Sequence, residues 1–223
     1  MKKNLLLKTI AIALGVSGIA ILTGVFIPIA SYERNSNEKY PTLLNPEVTR
    51  SDIISDYAKN SDYTKASNWF IGGKNRQDFT SPTINYYTIS IPKLRIDKAT
   101  VSVGGEDLSK SLIQYPGTAL PGKLGNSVIF GHSILPLFYN PKNYESIFSL
   151  IPRLKVGDEI NIDYDGVSYM YRVEKLFEVL PTDLQVLDQD TSDSFLTLVT
   201  CVPPGDPNKP KRLIVRARIV PSL

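Results

Sequence analysis

The 223-residue chain contains a single cysteine, a single histidine and a single tryptophan. One cysteine excludes an internal disulfide, and one cysteine with one histidine excludes the Cys/His sets that hold zinc. Clustered charge is also missing. Residues 1–30 carry no acidic side chain, and Lys2, Lys3 and Lys8 account for the whole net charge of +3. The remainder is close to neutral, which argues against the basic face that nucleic-acid binding needs. What is left, with 42% hydrophobic and 21% charged residues, is the composition of one ordinary globular domain with extra segments.

Charge is also absent from Thr9 to Ala30, TIAIALGVSGIAILTGVFIPIA. As a helix rising about 1.5 Å per residue, this run spans roughly 33 Å, enough for a bilayer core of about 30 Å. The lysines before it predict a cytoplasmic N-terminus, with the rest of the chain outside the cell. A cleaved signal peptide is the alternative. The run exceeds the usual apolar core of such peptides, and Pro28 occupies a site where cleavage after Ala30 would want a small residue. No second run of this length occurs, so a single-pass anchor at the cell membrane is expected.

Residues 1–30 are thus read as a basic tip and transmembrane anchor. Residues 31–84, polar and rich in Asn, Ser, Asp and Tyr, are read as an extracellular stalk, with a helix possible over 51–66. Residues 85–223 have the texture of a β domain. Candidate strands are 87–91, 95–103, 127–131, 159–164, 167–179, 195–200 and 212–220. Asp165-Gly166, between two of them, is a two-residue hairpin signal. Segments 107–114 and 143–150 read as short helices. Many short strands with few helices point to an all-β barrel or sandwich.

Three scarce or strongly placed residues fall at strand ends. Cys201 follows the apolar run FLTLVT, His132 follows SVIFG, and Arg212 opens the last strand after a ten-residue connection. A thiolate is a strong nucleophile, an imidazole can take and return its proton, and a guanidinium supplies fixed donors for a developing oxyanion. On local pattern alone, a buried thiol, a surface ring and a salt-bridged strand residue fit the same three positions. Arg216, four residues after Arg212, shares its strand face and competes for the arginine role.

TLVTC (197–201) resembles the sortase signature TLxTC. LPGKLGNSVIFGHS (120–133) is similar to the segment leading to the sortase histidine, KRLIV (211–215) to that carrying its arginine, and YTISIPKLRID (87–97) to its first strand. The four segments stand in family order and span about residues 85–223. The resemblance implies an eight-stranded sortase-type β-barrel behind one transmembrane helix. It implies a cysteine transpeptidase that cleaves an LPxTG-like sorting motif between Thr and Gly. Cys201 is then the nucleophile, His132 the general acid and base, and Arg212 the donor to substrate. The acyl-enzyme passes to an amine of a peptidoglycan precursor or a pilin lysine.

Thr200 and Gly131 are further candidates for shaping the substrate site, each with an ordinary structural alternative. No cofactor is expected. Some sortases bind calcium near the loop equivalent to Asp188, Asp190 and Asp193, where solvated carboxylates are the alternative. Pilin-polymerising sortases carry an N-terminal Asp-Pro-aromatic lid. Asp62-Tyr63 lacks the proline, which favours an anchoring role. Residues 31–84 are nevertheless long enough to reach the site, and the helix candidate 51–66 with Trp69-Phe70 beyond it would form such a cover; a tether packed on the side of the barrel is the reading preferred. A thiol hydrolase that releases surface proteins, or a non-catalytic surface binding module, remain as competing functions.

Overall fold

Strands form where β-branched and aromatic residues alternate, and turns form where Gly, Pro and Asp interrupt them. The computed structural model describes residues 2–41, 61–79 and 85–221. In chain order its strands are β1 (Asn85–Ile91), β2 (Ile96–Val103), β3 (Leu112–Gln114), β4 (Gly125–Phe130), β5 (Glu159–Tyr164), β6 (Val167–Val179), β7 (Ser194–Val202) and β8 (Lys211–Ile219). They close into a barrel in the order β1-β2-β3-β4-β7-β8-β6-β5. The pairs β2/β3 and β4/β7 are parallel and the remaining neighbours are antiparallel. Closure leaves no sheet edge to pair with another chain.

Two apolar clusters result. The barrel interior holds Ile89, Ile91, Leu112, Ile129, Leu196, Leu198, Leu213 and Val215 among others. A second cluster lies on the outer face of β4, β7 and β8, with Val128, Phe130, Val199, Cys201 and Ile214. Strand β7 is accordingly buried at every position, as a strand with no solvent face must be.

Two expected helices are corrected. Residues 107–111 form turns, and 112–114 are β3, paired in parallel with β2. Asp107 caps its own turn by accepting from the Ser109 backbone N–H, which competes with a helix. Residues 144–150 run as successive turns, held by three-residue bonds such as Ser149 N–H to Ser146 O and Ile151 N–H to Phe148 O. The expected helix over 51–66 falls largely outside the described residues.

The N-terminal helix α1 runs Lys2–Lys39, past the end of the apolar run. Its last turns lie against the barrel. Tyr32 Oη donates to Glu178 Oε1 at 2.7 Å, and Tyr40 Oη donates to the Pro152 carbonyl at 2.6 Å. Glu178 is otherwise buried and ion-paired with Lys211 at 3.1 Å. Residues 61–79 lie over the outer face of the sheet, with a 3₁₀ turn at Ala66–Asn68 and a single helical turn, α2, at Arg76–Phe79.

Candidate active site

Strand pairing brings the candidate residues together. Cys201 and Arg212 are direct partners in the antiparallel β7/β8 register. Side chains so opposed share a face, with Cβ atoms about 5 Å apart. Strand β4 runs parallel to β7, with Phe130 paired to Val199. Two residues further on, His132 comes level with Cys201. Two bonds hold this continuation: Gly131 N–H to Val199 O at 3.2 Å, and Ser133 Oγ to Cys201 O at 2.6 Å. All three side chains are buried, Arg212 completely.

Burying a guanidinium is costly unless its donors and charge are met. Arg212 makes no ion pair among the described residues. Its Nε donates to the Trp69 carbonyl at 3.1 Å, and its Nη1 donates to the carbonyls of Lys209 and Lys211 at 2.8 and 3.2 Å. Its Nη2 is buried without a partner among the described residues. Its cation also lies over the rings of Tyr63 and Trp69, at 5.3 and 5.7 Å. A positioned cation with a spare donor beside a thiol suits a substrate carbonyl or an oxyanion.

Residues 61–79 close this face. Trp69 is fully buried, stacked on Phe130 at 5.1 Å and tilted against His132 at 5.9 Å. Its indole N–H donates to the Tyr63 carbonyl. The segment is pinned at both ends. Ala66 N–H donates to Glu106 O, Leu108 N–H to Thr64 O, and Ile71 N–H to Pro181 O. Phe70 and Phe79 fill the same outer cluster as Cys201.

The cover has an electrostatic effect. Burial, with a smaller contribution from Lys209, lowers the His132 pKa to about 4, and Asp107 and Asp62 only partly oppose this. The imidazole is therefore neutral at pH 7. It can accept a proton, but the environment resists the imidazolium.

A family model described as Sortase domain matches residues 89–220. The chain belongs to the sortase family. Sortase A of Streptococcus agalactiae serotype III is 26% identical over 132 residues, which are 59% of this chain. The chain spans about half, 51%, of that relative's length. Among solved structures, the sortase D5 transpeptidase of Clostridium perfringens aligns with 29% identity and a TM-score of 0.52, covering 61% of this chain and 79% of that one. A lid mutant of sortase A from Corynebacterium diphtheriae aligns with 26% identity and a TM-score of 0.55, covering 77% and 94%.

In this sortase the other candidates take distinct places. Thr200 Oγ1 donates to the Gly131 carbonyl at 2.9 Å and so ties the cysteine strand to the histidine strand. Gly131 leaves no room for a side chain. A Cβ there would stand 2.4 Å from Phe148 Cδ2 and 2.6 Å from Leu112 Cδ2. Arg216 pairs with Thr197 in the register, away from Cys201. It meets Glu174 at 3.5 Å and Asp190 at 3.8 Å and lies over Phe195. Asp193 faces Arg218 at 3.9 Å. Among the described residues no group of three His, Cys, Asp or Glu side chains converges as a metal site.

Ser133 and Lys209 are not singled out by sequence, and Tyr63 is noticed there only as a position that lacks the lid motif's proline. Ser133 directly follows the histidine, which is its only local signal. Tyr63 reaches the site through long-range packing, and Lys209 through the connection between β7 and β8, three residues before Arg212.

Proposed function

We propose that this sortase is a cysteine transpeptidase held in a closed state by residues 61–79. The observation that carries the reading is Arg212. It is a fully buried cation with no carboxylate partner and one unpartnered donor among the described residues, directly across the register from the lone thiol.

The thiolate of Cys201 adds to the carbonyl carbon of a scissile peptide bond in a bound sorting motif of the LPxTG kind. Arg212 donates to the oxygen that gains charge. The C–N bond breaks as His132 delivers a proton to the leaving amine, which leaves a thioester on Cys201. An incoming amine, from a cell-wall precursor or a pilin lysine, attacks that thioester. It gives its proton to His132 and expels the thiolate. One amide is exchanged for another, with no net oxidation and no cofactor.

The groove face is filled in the closed state, so a sorting motif has to displace Trp69 and its neighbours. Apparent affinity is then reduced by the closed fraction. Displacement also rehydrates His132, removing the main cause of its low pKa. The cover therefore opposes both access and the thiolate–imidazolium pair. The anchoring role drawn from the missing Asp-Pro-aromatic motif is weakened, because a cover is formed here through Tyr63 and Trp69 instead.

Helix α1 is long and apolar enough over Leu7–Ser36 to cross a membrane. We read it as a single-pass anchor, with the lysines inside and the barrel outside. Product analysis tests the reaction class. Full-length protein is given LPxTG-type peptides with and without an added amine such as triglycine. Amine-dependent ligation product supports transfer. Hydrolysis product alone, at every amine concentration, would replace it with a thiol hydrolase.

A further inference from the structure

Pro28, inside the apolar run, and Ser31 line a cavity of about 360 Å³ together with Pro136, Ser149 and Pro204 of the barrel loops. The level at which the apolar helix leaves a bilayer is therefore also the level of the loop at Pro136. The barrel is not suspended on a slack tether there. Lys39 Nζ and Tyr40 Oη both donate to the Pro152 carbonyl, and Glu178 N–H donates to Pro41 O at 3.2 Å.

Next to Pro136, in the 3₁₀ turn Pro136–Phe138, Leu137 and Phe138 are 76% and 61% exposed. Two adjacent large apolar side chains so exposed on a soluble face call for a partner. Basic residues flank them. Lys39 has its pKa lowered by burial and by the nearby charges of Lys155 and Lys93, so these ammonium groups are close together. Asp158 neutralises Lys93 at 2.7 Å. Lys39, Arg153 and Lys155 make no ion pair among the described residues. Glu38 is exposed and lies off the helical stripe Tyr32–Ser36–Lys39 that meets the barrel, whereas half-buried Glu33 sits at its edge, on one face with Tyr40.

We infer that this end of the barrel rests on the outer bilayer surface. Leu137 and Phe138 enter the interface, and Lys39, Arg153 and Lys155 face anionic lipid headgroups. An apolar tip ringed by cations, at the depth where a spanning helix emerges, matches a membrane surface in both polarity and charge. The loop that begins at His132 is then held next to the lipid, within reach of substrates still tethered there. The inference rests on the reading of α1 as a spanning anchor.

Depth-dependent quenching tests it in the full chain. Cys201 is the sole cysteine, so Leu137→Cys and Val167→Cys, each with Cys201→Ala, give single bimane labels. Val167 flanks the hairpin at the far end of β5. In nanodiscs carrying doxyl-labelled lipid, the label at position 137 should be quenched several-fold more than that at 167. Arg153→Glu with Lys155→Glu should at least halve that quenching in phosphatidylglycerol discs, with a smaller effect in phosphatidylcholine discs. Equal quenching at the two positions, in protein that resists alkaline extraction, overturns the docking alone. Protection of position 137 from iodide without doxyl quenching also overturns it, since a protein surface would then be the cover. Release of the chain by the alkaline wash would instead remove the spanning reading beneath it.

Discussion

The backbone carbonyl of Trp69 accepts a hydrogen bond from Arg212 Nε at 3.1 Å. One residue of the N-terminal segment thus holds the guanidinium whose remaining donor the proposed chemistry assigns to substrate. The same residue's ring shields His132. The cover competes for the proposed catalytic group itself, beyond blocking the path to it.

Trp69→Ala should open the site. Truncating a buried Trp costs about 3–5 kcal/mol. The side chain belongs to the cover, so most of that loss falls on the closed state. The open population should rise on the order of 100-fold, and alkylation of Cys201 by iodoacetamide should accelerate by at least about 10-fold. The barrel's thermal transition should persist. An unchanged alkylation rate would mean that the segment does not control access.

Acid should loosen the cover. His132 has a pKa of about 4 in the closed state and about 6.5 when solvated. Above about pH 6.5 both states hold a neutral ring, and stability does not depend on this group. As pH falls from about 6.5 to about 4, the solvated ring binds the proton first, and the closed state loses about 3 kcal/mol. Hydrogen bonds from Thr64 and Ser109 and nearby lysines hold the carboxyl groups of Asp62 and Asp107 below the ordinary carboxylate range. Their contribution is lost only at lower pH. Trp69 is the only tryptophan, so its emission should red-shift within the first window. His132→Gln should remove that shift.

Arg212→Ala should lower kcat/KM by on the order of 100-fold or more, the scale of losing a donor to a developing oxyanion. Arg216→Ala should stay within a few-fold, because its partners are Glu174 and Asp190. Steady-state peptide ligation on both variants decides the ranking. The reverse order would move the arginine role to position 216.

Gly131→Ala should destabilise the fold by about 1–3 kcal/mol, the usual cost of overpacking, because the new methyl meets Phe148 and Leu112. Urea unfolding measures this. Stability equal to the parent protein would make Gly131 a substrate-site residue alone.

Much of the barrel was legible because its signals are local. Asp165-Gly166 marks the hairpin, and β5 and β6 fall at the expected residues 159–164 and 167–179. Cys201, His132 and Arg212 were legible as strand-end residues within motifs, and pairing in the β4, β7 and β8 registers explains how they meet. Strand β3 was not legible. Its three residues carry no period of their own and exist through parallel pairing to β2. The placement of residues 61–79 was also hidden. Trp69 could be noticed as a scarce aromatic, but its fit against Phe130, His132 and Arg212 joins residues some 60 to 140 positions apart in sequence.

The central claim is that Cys201 forms an acyl-enzyme with a sorting motif once Trp69 is displaced. Intact-mass spectrometry of the full chain, incubated with LPxTG-type peptides and quenched in acid, addresses it directly. An adduct of the acyl fragment on Cys201 that hydroxylamine removes is expected, more abundant in Trp69→Ala and absent in Cys201→Ala. No adduct in the Trp69→Ala protein with any such peptide, while Cys201 alkylates readily, would contradict it.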